Sequence, residues 1–194
     1  MRKIFAAMLV ALMLSGGTVE AVPFTRAQLD RIFFDVEQVP ANSPTLDLNA
    51  ATLTEKFNGL VTPILQETMG TDDVSAMAHL FLIKDAKTFN KPDGDLFANI
   101  FGDYRVALIG WSESGGNFKR LNLCYTTPEA KDESLFTVWL LTAFIKSLAP
   151  DADPQALMNA LTAENFSGSV VEGGVSFSIA EDGNLNVLTA SPAP

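Results

Sequence analysis

Blocks of helical periodicity alternate with blocks of strand periodicity along this chain, and explicit cap and turn residues mark most of the boundaries. Thr25 stands where a helix N-cap belongs, Gln28 occupies the capping-box position, and Phe24 and Leu29 are spaced for a hydrophobic staple. Leu29, Ile32, Phe33 and Val36 then follow one helical face, which predicts a first helix to about Glu37, ended by Pro40 and the loop Ala41 to Pro44. Thr52 with Glu55 predicts a second capping box, opening a helix whose stripe is Phe57, Leu60, Val61, Ile64 and Leu65 and whose C-terminal cap is Gly70. Pro63 sits inside that stripe, where it removes one backbone donor and predicts a kink that could shape a groove.

From Ser75 to Thr126 the period changes to two. Four strands are predicted, Ala78 to Asp85, Asp95 to Phe101, Tyr104 to Trp111 and Phe118 to Thr126. They are joined through Asn90 to Gly94, through Gly102-Asp103, and through the longer tip Ser112 to Asn117. Asp132 then caps an apolar helix, Glu133 to Leu148, and Asp153-Pro154 opens another, Gln155 to Ala163. Strands return at Ser167 to Val171, Val175 to Glu181 and Asn184 to Thr189, with Gly173-Gly174 and Asp182-Gly183 as turns and Ser191 to Pro194 as a frayed tail. Two helices, four strands, two helices and three strands predict an α+β fold. Its antiparallel sheet has about seven strands, in a four-strand and a three-strand meander, with helices packed on one face.

Ahead of these blocks, Arg2 and Lys3 precede an apolar run from Ile4 to Leu14 that is long enough for a signal h-region and too short to span a bilayer. Val19 and Ala21 supply the small residues of a cleavage site. Residues 1–21 therefore read as a secretory signal and 22–194 as one mature domain, periplasmic or extracellular, starting at Val22. No cysteine follows the cut, so no lipid anchor is expected there. The mature chain has no second membrane-spanning run, because Thr137, Thr142 and Lys146 interrupt Leu135 to Leu148.

Removing Arg2, Lys3 and Glu20 with the signal takes the net charge from −10 to −11. Phosphate backbones and anionic surfaces would repel such a chain, and Lys119-Arg120 is the one adjacent basic pair beyond the signal, so nucleic-acid binding is disfavoured. The single cysteine, Cys124, allows no internal disulfide and reads as a packing residue, with a chain-to-chain link as the alternative.

Catalytic chemistry has little to work with. The single histidine, His79, lies among Met77, Ala78, Leu80 and Phe81 and reads as structural, which leaves a serine triad without a base. Gly110-Trp111-Ser112-Glu113-Ser114 lacks the second glycine of a nucleophile elbow. One Cys and one His are too few for the common zinc sites, and Asp72-Asp73 and Asp93-Gly94-Asp95 lack the spacing of a calcium loop. No metal and no cofactor are expected. A carboxylate pair for hydrolysis could be drawn from any acidic chain, and no spacing singles one out. Phenylalanine dominates the aromatics, 14 against two Trp and two Tyr, which suits a packed core better than a sugar-binding surface.

The expectation is an exported, noncatalytic binding or interaction domain for a protein partner or a small apolar ligand, held in a groove between the sheet and the kinked helix. A secreted hydrolase with a carboxylate pair and a self-assembling envelope scaffold are the alternatives, and the oligomeric state is open. Trp111, Ser112 and Glu113 at the long hairpin tip, with Trp139 on the apolar helix, are the candidate binding residues, chosen because exposed aromatics are the usual anchors.

Overall fold

The computed structural model describes residues 24–37, 39–40, 42–102, 105–127, 131–164 and 166–194, and for 35, 37 and 131–133 the backbone alone. The predicted signal segment lies outside these residues. Seven antiparallel strands form one sheet in the order β1-β2-β3-β4-β7-β6-β5, where β1 is Lys87–Lys91, β2 Gly94–Phe101, β3 Val106–Ser112, β4 Phe118–Thr126, β5 Val170–Glu172, β6 Val175–Asp182 and β7 Leu185–Pro192. The two meanders join through β4 and β7, with Leu123 opposite Leu188. The helices among the described residues are α1 Arg26–Glu37, α2 Ala50–Met69, the single turn α3 Ser75–Ala78, α4 Lys131–Leu148 and α5 Pro154–Leu161. The fold is α+β, as its block order implies.

The sheet is covered on both faces. On one, Phe97, Phe101, Leu108, Leu121, Leu123 and Phe177 pack with Phe57 of α2, Phe144 of α4 and Leu157 of α5. On the other, Leu96, Ala98, Ala107, Ile109, Trp111 and Cys124 pack under Ile32 and Val36 of α1. The main helical layer thus lies on one face as expected, and α1 adds a cover on the reverse. The physical reason is visible in β3, whose seven residues are all buried and whose apolar run Val106 to Ile109 leaves neither face fit for water.

Most caps form as the residue types dictate. Thr25 and Gln28 exchange bonds, Gln28 N to Thr25 Oγ1 at 3.2 Å and Thr25 N to Gln28 Oε1 at 2.9 Å. Asp153 caps α5, accepting from Gln155 N and Ala156 N, and Gly70 closes α2 in the left-handed region at φ +66°. At the start of α2 the box is shifted: Asn49 is the N-cap and Thr52 its partner, so Glu55 has no part in it. α2 is one continuous helix through Pro63. Pro63 is exposed, and so is Gly59, the residue whose carbonyl loses its donor, so water can satisfy that oxygen.

The strand expected at Ala78 to Asp85 does not form. After α3 the chain is irregular to Ala86, although Phe81 and Ile83 are buried in alternation with the half-buried Leu82. The Asn58 side chain acts as a strand edge for this segment: its Oδ1 accepts from Ile83 N at 2.8 Å and its Nδ2 donates to Ile83 O at 3.0 Å. The first strand is instead Lys87–Lys91, exposed at every residue and turning back through Pro92-Asp93. His79 is exposed on the surface and not a core histidine. The C-terminal tail is also tied down: β7 runs to Pro192, and Ala193 N donates to Gly174 O at 3.0 Å.

Candidate functional site

The long hairpin tip is an internal brace. Asp95, buried on β2, accepts from Gly115 N at 2.7 Å and from Asn90 Nδ2 at 2.8 Å, so one carboxylate pins the Ser112 to Asn117 tip and the β1–β2 hairpin together. Trp111, expected to be exposed, is 5% exposed on the α1 side of the sheet. Its ring lies over Gly94, where a Cβ would stand 3.0 Å from the indole and 2.3 Å from the Ser112 carbonyl oxygen. Ser112 is buried as well. Glu113 is exposed and pairs at 3.0 Å with Lys119, whose side chain is 3% exposed, so it neutralises a buried ammonium. A β-bulge at Trp111 and Ser112 shifts the register so that Ser112 pairs with Phe118, leaving Lys119 as the extra residue.

Trp139 is buried on the opposite face, edge-on to Phe81 with ring centroids 5.4 Å apart. The gap beside it, lined by Val61, Ile64, Phe81 and Ala143 among others, is about 10 Å³, room for one water at most. Trp111 and Trp139 thus lie on opposite sides of the sheet in separate cores and cannot form one site. The groove expected between the sheet and α2 is filled by Leu53, Phe57, Val61 and Leu65, each at most 3% exposed. Cys124 is fully buried, consistent with packing and unsuited to a link between folded chains.

The structure opens a cleft elsewhere, of about 240 Å³, bounded by five separate stretches of sequence. One wall is the extended segment Thr45 to Leu48, held to the start of β4 by Leu46 N to Phe118 O at 2.7 Å and Phe118 N to Leu48 O at 2.8 Å. Alternation along this segment buries Leu46 and Leu48 and turns Asp47 outward. Lys56 of α2, the C-terminal end of α4 at Ser147 and Leu148, and the β5–β6 turn with Pro192 of β7 complete it. Gly173 is required in that turn, since its φ is +57° and a Cβ would press on Ala149 Cβ at 3.2 Å. No group of three or more metal-ligating side chains occurs among the described residues. Also among the described residues, no helix is long and apolar enough to cross a membrane.

Comparison with protein-family models, curated proteins and solved structures finds no match to this chain.

Proposed function

We propose that this protein is an exported, noncatalytic binding domain, and that the cleft beside the α4 C-terminus is where it holds a small polar ligand. The cleft carries the reading: it is open to solvent, is framed by backbone pinned to the sheet, and has Asp47 and Lys56, a carboxylate and an ammonium, on its walls. A concavity with a few placed polar groups is the usual form of a small-ligand site, and here two of those groups are charged. Its rim favours a polar occupant over the apolar one expected at first. Residues 1–21, which read as an export signal, are what supports a role outside the cytoplasm.

Native mass spectrometry of the mature protein, isolated from its own compartment without denaturation, tests both parts. The expected result is a chain beginning at Val22 that carries a noncovalent small-molecule mass. A full-length chain beginning at Met1 would overturn export. A bare chain whose thermal stability no small polar molecule from the same compartment shifts would overturn the binding role.

A further inference from the structure

We infer that the cleft takes a zwitterion of amino-acid to dipeptide size, a ligand with a free ammonium at one end and a free carboxylate at the other; this rests on the binding role proposed above. Lys56 and Asp47 both line the cleft and both side chains are exposed, yet among the described residues neither makes an ion pair or a side-chain hydrogen bond. Two opposite charges that share a cleft without neutralising each other suit a ligand that carries both signs.

The end of α4 also reaches the cleft, but Lys146 in its last turn donates to Pro150 O at 2.8 Å and offsets the helix dipole there. What α4 contributes to the cleft is therefore Ser147 and Leu148 themselves. The Ser147 hydroxyl already donates to Phe144 O at 2.8 Å, so what it can offer a ligand is its oxygen lone pairs. Asp47 and the Ser147 oxygen therefore favour an ammonium, and Lys56 favours a carboxylate. Leu148, Val175 and Pro192 supply an apolar wall for a short side chain. The volume of about 240 Å³ falls below the range of drug-sized sites and suits an occupant of amino-acid to dipeptide size.

The test is calorimetric titration of the mature protein with alanyl-alanine, its N-acetyl form and its C-terminal amide, repeated on Lys56→Ala and Asp47→Ala. Both substitutions remove exposed side chains outside the core, so the fold is expected to persist. Saturable binding of the free dipeptide is expected, weakened about fivefold by either blocking group or either substitution, as for one exposed ion pair. Amidation is expected to cost nothing further in Lys56→Ala, and acetylation nothing further in Asp47→Ala. Absence of saturable binding at millimolar dipeptide overturns the inference, as does binding that ignores both substitutions. A retained ligand with no ionic ends, seen in the native mass spectrum, would overturn the zwitterion and leave the binding role standing.

Discussion

Substituting Gly94 by alanine tests the packing that buries Trp111 and shapes the hairpin tip. A Cβ at Gly94 would lie 2.3 Å from the Ser112 carbonyl oxygen and 3.0 Å from the Trp111 ring. The nearer atom is backbone in a paired strand, Asp95 opposite Ser112, so no rotamer change relieves the clash. Overpacking of this kind costs about 1–3 kcal/mol, and the positive φ of +155° adds strain of about 1–3 kcal/mol. We expect a loss of about 3 kcal/mol or more, which for a domain of this size lowers Tm by about 6–12 °C. Gly115→Ala is the control, because Gly115 also has a positive φ, +66°, but nothing within 4 Å of a Cβ. Left-handed strain alone costs about 1–2 kcal/mol there. Denaturant unfolding followed by circular dichroism measures both. If Gly94→Ala is no more destabilising than Gly115→Ala, the close approach of β2 to the Trp111–Ser112 bulge is wrong.

Three further outcomes follow from burial and hydrogen bonding. Asp95→Ala leaves the Gly115 amide without its acceptor and is expected to cost about 2–3 kcal/mol, with hydrogen exchange at Gly115 accelerating more than elsewhere; an unchanged exchange rate would contradict the brace. Burial, with Glu181 adding, pushes the Tyr125 phenol well above its ordinary value of 10.0. Above pH 10 the unfolded chain therefore binds fewer protons than the folded one, and stability is full below that pH and falls as pH rises through it; Tyr125→Phe should flatten this loss in denaturant titrations between about pH 9 and 11. Finally, tryptophan emission should resist acrylamide quenching and Cys124 should react with a thiol reagent only at the rate of unfolding, since both indoles and the thiol are buried. Rapid quenching or labelling of the folded protein would contradict the two-faced core.

Local chemistry made much of this fold readable. Thr25 with Gln28, Asp153 with Pro154, and Gly70 announce helix ends because a cap depends on residues within a few positions. Strand β1 was hidden because all five of its residues are exposed, so it carries no alternation; β2 alone defines it. Phe81 to Ile83 mimicked a strand because their alternation is real, while their partner is the side chain of Asn58, a contact 25 residues away. The exposure expected of Trp111 failed for a related reason. A sheet with apolar residues on both faces must be covered on both, and the unbroken apolar run of β3 carried that signal. The cleft had no sequence signature at all, because Asp47, Lys56, Ser147 and Gly173 come together only once the sheet and α4 are assembled.

The most direct measurement is a two-dimensional amide NMR titration of residues 22–194 with alanyl-alanine, since it reports where binding occurs as well as whether it does. The account predicts saturable shifts at Asp47, Lys56, Ser147, Gly173 and Gly174, with the amides of Ser112 to Gly116 unmoved. Shifts centred on the hairpin tip, or none at millimolar dipeptide, would contradict it.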